Sequence, residues 1–197
     1  MVVELRQYTL RRGQRDVLIE LFDRALAEGQ EAVGIKMIGW FRDLADPSNF
    51  VWLRAFSDMA ARARALEAFY GGPVWAEHRN EANATMIDSG NVLLLRPAGG
   101  SIDALRNRPE LVASIHSFSE PVDHAEVERL EREHGSAWAA FVTEESPNNF
   151  PALPVREGEH VVVRLSDRPD PGADETLRLQ CRARGLSSPR WSGSIQR

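Results

Sequence analysis

The sequence predicts an α+β protein made of two tandem ferredoxin-like (βαββαβ) units with antiparallel sheets, the second unit lacking its last strand. Three observations predict it. Strand-like and helix-like segments follow one another as β-α-β-β-α-β through the first half. Residue types then recur at a spacing of 110, pairing Leu5 with Ile115, Tyr8 with Phe118, Trp40 with Phe150, Val51 with Val161, Leu53 with Val163 and Arg54 with Arg164. The same spacing carries the counterpart of the first unit's closing strand beyond Arg197.

The elements follow in order. Residues 2–10 are rich in strand formers and close on Arg11-Arg12-Gly13. Val17, Leu18, Leu21, Phe22, Ala25 and Leu26 recur at helical spacing, which predicts a helix over 14–30 ended by Gly29 and Gly34. Residues 35–44 and 50–56 flank Ala45-Asp46-Pro47-Ser48-Asn49, turn chemistry that makes them a hairpin. Ser57 or Asp58 caps a helix to about Tyr70, its buried stripe being Met59, Ala63, Leu66 and Phe69 or Tyr70. Gly71-Gly72-Pro73 breaks it. Pro73 suits the first turn of a short helix through Trp75 and His78, and residues 91–96 form the closing strand.

In the second half, residues 111–119 repeat the first strand. Asp123 caps a helix with Glu126 as capping-box partner and a stripe of Val127, Leu130, His134, Trp138 and Phe141. Residues 150–156 and 160–166 repeat the hairpin around Glu157-Gly158-Glu159. Pro169 and Pro171 oppose a helix directly after Ser166. A short helix is expected near 173–183, then an irregular basic tail. The expected organisation is a first domain over 1–98, a linker over 99–110 and a truncated second domain over 111–197. A sheet short of one strand exposes an edge, which predicts a homodimer.

Composition narrows the partners. The net charge of −5 argues against nucleic acid. No apolar run is long enough for a membrane span and no basic-then-apolar leader opens the chain, so a cytoplasmic protein is expected. Cys181 is the one cysteine and supplies neither an internal disulfide nor, alone, a zinc site. The histidines at 78, 116, 124, 134 and 160 show no HxxxH spacing, so no metal and no cofactor is expected.

The motifs Glu4-Leu5-Arg6-x-Tyr8, Gly13, Arg54 followed by Asp58-Met59 and Arg62, and Gly72-Pro73-x-Trp75 together resemble the NIPSNAP family. Residues 2–98 carry the resemblance, and 111–166 look like a weaker second copy. The resemblance implies the dimeric α/β-barrel arrangement, two ferredoxin-like sheets packed face to face. It implies a fold more than an activity, because the family has no agreed catalytic set and the same barrel hosts cofactor-free monooxygenases and haem-degrading enzymes.

Strand alternation selects the candidate residues. Phe50, Trp52, Arg54 and Phe56 share one face, as do His160, Val162, Arg164 and Ser166. Arg54 and Arg164 therefore occupy equivalent places, either as an anion-reading pair in a shared cavity or, the favoured reading, each beside a local carboxylate. His116 shares a face with Val112, Ser114 and Phe118, and is either a general base or a hydrogen-bonded structural histidine. Trp75 and His78 suit a pocket lip or simple core filling, and His134 reads as a packing residue. No catalytic residue is assigned, His116 and His78 being the candidates. Trp52, Arg54, Trp75, His116 and Arg164 are the candidate ligand-binding residues. The expected function is binding of a small apolar or aromatic ligand in the inter-sheet cavity. The alternatives are a cofactor-independent monooxygenase-type enzyme and a structural or assembly module with a filled barrel.

Overall fold

Eight strands hydrogen-bond side by side into a closed antiparallel barrel in the computed structural model, which describes residues 1–105 and 108–181. Strand β1 (Val2–Leu10) leads to a helical run of α1 (Arg15–Leu21), a π-helical turn (Phe22–Leu26) and α2 (Ala27–Glu31). The hairpin β2 (Lys36–Asp43) and β3 (Asn49–Phe56) follows, then α3 (Met59–Tyr70), α4 (Pro73–Thr85) and β4 (Met86–Gly100). The second half comprises a 3-10 turn (Ile102–Leu105), β5 (Glu110–Phe118), α5 (His124–His134), β6 (Ala139–Thr143), β7 (His160–Ser166) and β8 (Glu175–Cys181).

The strands run β4-β1-β3-β2 in the first half and β8-β5-β7-β6 in the second, and the halves join at β2–β8 and at β6–β4. Each half therefore sets its last strand beside its first. The mixed α+β, antiparallel expectation holds, but the expected loss of the last strand does not. Strand β8 pairs with β5 from Glu110↔Gln180 to Ile115↔Glu175, and with β2 from Phe41↔Cys181 to Asp43↔Leu179. The spacing of 110 misses it because residues 167–174, with Pro169 and Pro171, carry no helix, so the strand arrives early. The helix expected near 173–183 is this strand over its described part, and the basic tail beyond residue 181 lies outside the described residues. With β8 paired on both sides, the open edge that predicted a homodimer is occupied.

Three further expectations shift. Gly135, at φ 82°, ends α5 at His134, so Trp138 and Phe141 leave the helix, Trp138 standing just before β6 and Phe141 within it. The partner of β7 is β6, not residues 150–156, which belong to the long connection between them. The expected Trp40–Phe150 equivalence is lost with it. Strand β4 is longer than 91–96 and carries the β6 seam through Gly100↔Ala139.

Alternation sorts the side chains. Val3, Leu5, Ile38, Phe41, Leu53, Leu93, Ile115, Phe141, Val163 and Leu179 belong to one apolar cluster to which all eight strands contribute, and which fills the barrel. The opposite face of the first half packs Tyr8, Phe50, Trp52 and Phe56 against Leu18, Phe22, Leu66 and Phe69 of the helices. On the second half, Val142 and Val162 pack against Val127 and Leu130 of α5. Helix α3 is capped by the Asp58 carboxylate, which accepts from the Ala61 amide at 2.7 Å. Its buried face is Arg62, Ala65, Leu66 and Phe69, so a charged residue takes a place that the apolar stripe left open.

Candidate functional site

Two polar clusters lie buried between the sheet and the helices, one in each half. The first centres on Glu4, whose side chain is fully buried. Its Oε2 accepts from Arg6 Nη1 and from Arg54 Nε, each at 2.7 Å, and its Oε1 accepts from Arg62 Nε at 2.7 Å. The register explains the meeting: Glu4 lies opposite Arg54, and Arg6 opposite Trp52, across the β1–β3 ladder. Arg62 comes down from α3. Arg6 Nε donates to the Tyr8 hydroxyl at 3.0 Å, and Arg54 Nη1 to Gln30 Oε1 at 2.8 Å. Arg62 Nη1 donates to Asn148 Oδ1 at 3.0 Å and Asn149 Oδ1 at 2.8 Å, both on the β6–β7 connection.

Three guanidiniums around one carboxylate, all four side chains fully buried, leave a surplus of positive charge. Burial alone would raise the Glu4 pKa, but Arg54, Arg6 and Arg62 outweigh it and hold the carboxyl far below the ordinary range. Burial raises the Tyr8 phenol. Among the described residues, Arg6 Nη2, Arg62 Nη2 and Trp52 Nε1 are buried donors without a hydrogen-bond partner. Arg54 Nη2 lies 2.7 Å from Glu4 Oε2 but outside hydrogen-bond geometry. The Arg6 and Arg54 guanidiniums lie 5.4 and 4.9 Å from the centroid of the Trp52 ring. A half-buried aromatic group joins the helices to the β6–β7 connection: Tyr70 and Trp75 meet edge to face at 5.0 Å, and Phe150 of the connection stacks on Tyr70 at 6.1 Å.

The second cluster centres on Asp170, in the connection that stands where a second helix would be. Its Oδ2 accepts from Arg164 Nε at 2.6 Å and lies 3.2 Å from His116 Nε2. Its backbone amide donates to Ser114 Oγ at 2.9 Å. Arg164 Nη2 donates to the Gly135 carbonyl at 2.6 Å, just past α5, while Arg164 Nη1 is buried without a partner among the described residues. The His116 and His134 rings stack at 5.6 Å.

The predicted residues thus divide. Arg54 and Trp52 sit in the first cluster, Arg164 and His116 in the second, and each group faces its own helices rather than the barrel interior. Arg54 and Arg164 do occupy equivalent register positions, opposite Glu4 and Ser114, and each pairs with a carboxylate of its own half. They do not meet in an inter-sheet cavity, because inward positions on the same strands are apolar. Trp75 packs on Phe69 and Tyr70, and the half-buried His78 has Glu77 at 4.0 Å. Sequence reasoning missed Glu4, Arg6, Gln30 and Arg62 as site residues, and Asp170 and His134 as partners of His116. The alternation Glu4-x-Arg6-x-Tyr8 was a usable signal, since three polar groups on one strand face need partners when that face is covered. Nothing in the spacing pointed to Asp170.

The fold is an antiparallel α+β barrel with its helices packed outside. Residues 3–101 match the NIPSNAP family model. The chain belongs to the NIPSNAP family. Solved structures share the fold across both halves. A candidate monooxygenase from Fusobacterium nucleatum aligns with a TM-score of 0.55 at 9% identity, covering 91% of each chain. One from Lactobacillus acidophilus NCFM aligns at 0.54 and 12% identity, covering 90% of this chain and 92% of that one. A NIPSNAP family protein of unknown function from Agrobacterium tumefaciens is 21% identical over 48% of this chain and 85% of its own, with a TM-score of 0.44. Comparison with curated proteins gives no match. Among the described residues, no helix is long and apolar enough to cross a membrane.

Proposed function

We propose that the protein is a binding protein for a small organic anion with an aromatic body, held at the Glu4–Arg6–Arg54–Arg62 cluster. The observation that carries this reading is the buried charge imbalance: three guanidiniums, one carboxylate, and open donors on Arg6, Arg62 and Trp52. Buried cations without matching acceptors are costly, and an anion offsets that cost. Arginine forks match carboxylates, while Tyr70, Trp75 and Phe150 offer ring surfaces beside them. Asn148 and Asn149 hold the β6–β7 connection over Arg62, so a ligand reaching the cluster from that side would displace these two hydrogen bonds. We read the halves as two fused ferredoxin-like units because both have the same strand order; β4 runs to Gly100 and β5 opens at Glu110, so the joint is shorter than the expected 99–110. Their seams would then be those of a dimeric barrel.

Titration of the protein with benzoate, salicylate and inorganic phosphate, followed by tryptophan fluorescence, tests the reading. Saturable quenching by an aromatic carboxylate is expected, weakened tenfold or more in Arg62→Gln and less in Arg62→Lys. Absence of saturable binding by any of the three anions, or equal affinity in folded Arg62→Gln, would overturn it. The second reading is a structural module, favoured by the apolar filling of the barrel. The oxygenase reading draws on fold likeness alone.

A further inference from the structure

We infer that His116, His134 and Asp170 form a site for a divalent transition-metal ion, with zinc the best match. One ligand atom from each lies within 4.8 Å of the other two. Two imidazoles and a carboxylate are a ligand set that zinc accepts, leaving a fourth position open. Bond lengths of about 2.0–2.2 Å at tetrahedral angles separate ligand atoms by about 3.4 Å. His116 Nε2 and Asp170 Oδ2 already lie 3.2 Å apart. Closing the remaining gap takes at most about 1.4 Å of movement by the half-buried His134 ring, at the end of α5.

The surroundings are those of supported ligands. The three residues come from separate elements: β5, the last position of α5 and the β7–β8 connection. Arg164 ties two of these together, donating through Nε to Asp170 and through Nη2 to the Gly135 carbonyl next to His134. Ser114 Oγ fixes the backbone of Asp170. Ligating carboxylates are ordinarily held by such outer hydrogen bonds, and Arg164 balances the Asp170 charge without occupying the histidines. Its unpartnered Nη1 leaves a donor for an anionic fourth ligand. The ion would displace the hydrogen shared by His116 Nε2 and Asp170 Oδ2, the ring hydrogen moving to Nδ1, so the imidazole stays neutral.

The test is equilibrium dialysis of full-length protein against zinc, with cobalt(II) absorption as a geometric readout. One equivalent of zinc and tetrahedral cobalt bands are expected in the wild type. At least tenfold weaker retention is expected in His134→Gln and in His116→Gln, each checked for fold by circular dichroism. His160→Gln, altering an exposed histidine–carboxylate pair with Glu145, should retain the metal like the wild type. Failure of the wild type to retain an equivalent overturns the inference. So does unchanged retention in folded His134→Gln and His116→Gln, or loss of the metal in His160→Gln alone. None of these outcomes bears on the arginine cluster of the other half.

Discussion

Arg62 Nε donates to Glu4 Oε1 at 2.7 Å, joining helix α3 to the first strand through two fully buried charges. The same carboxylate serves Arg6 and Arg54, so one acid neutralises part of three cations. Its removal should therefore be felt far more than that of any surface pair.

Glu4→Gln is expected to destabilise the protein by about 3–5 kcal/mol, the usual cost of stranding a buried ionic partner. Arg24→Ala breaks an exposed pair with Glu81 and should cost less than about 1 kcal/mol. Urea unfolding followed by fluorescence compares them. A Glu4→Gln midpoint equal to that of Arg24→Ala would refute the assignment.

The same group sets an acid dependence. Burial opposes ionisation of Glu4, but the three guanidiniums prevail, so its folded pKa lies far below the ordinary carboxyl value of 4.5. A depressed folded pKa means stabilisation that is complete above the unfolded value and shrinks as pH falls below it. The gap between wild type and Glu4→Gln should stay constant from neutral pH to about 5 and narrow further down. Unfolding free energies measured across that range check the sign; a gap widening in acid contradicts it.

Gly100 has φ 61°, and a Cβ there would come within 2.3 Å of the Trp138 carbonyl oxygen, at the β4–β6 seam. Gly13 has φ 77° with nothing within 4 Å of such a Cβ. Gly13→Ala should cost about 1 kcal/mol, for the left-handed backbone alone. Gly100→Ala should cost well beyond that, since backbone must move. Thermal melts of the two variants decide it, and equal melting temperatures would refute the close approach.

Strand β8 buries Leu177 and Leu179 in the barrel and closes it on β2. Leu179→Asp places a charge in that interior and should lower the unfolding free energy by several kcal/mol. A chain ending at Pro171 should self-associate through the freed edges of β2 and β5. Light scattering of that chain distinguishes it from a well-behaved monomer, which would show that β8 is dispensable.

Local patterning made the first half readable. Val3 and Leu5 alternate with Glu4 and Arg6, Asp58 caps α3, and Pro73 opens α4. The second half deceived where periods overlap. Val127, Leu130, His134, Trp138 and Phe141 suit a helix, and only Gly135 marks the switch to a strand. Leu177 and Leu179 alternate as a strand should, yet the spacing of 110 placed the last strand elsewhere. Alternation singled out Trp52, Arg54, His116 and Arg164 but neither their buried partners Glu4 and Asp170 nor the side of the sheet they take. Arg54 and Arg164 are on the helix side because their neighbours Leu53 and Leu165 take the inside. Asp170 was invisible because a loop residue's partner is set by tertiary packing.

The β2–β8 junction brings Phe41 opposite Cys181. On a ribosome, then, the ring stays open until nearly all of the described chain has emerged, and an edge of β2 waits throughout synthesis for its partner. Such distant pairing makes assembly slow, and the waiting edge is where a nascent molecule is most exposed to mispairing with its neighbours.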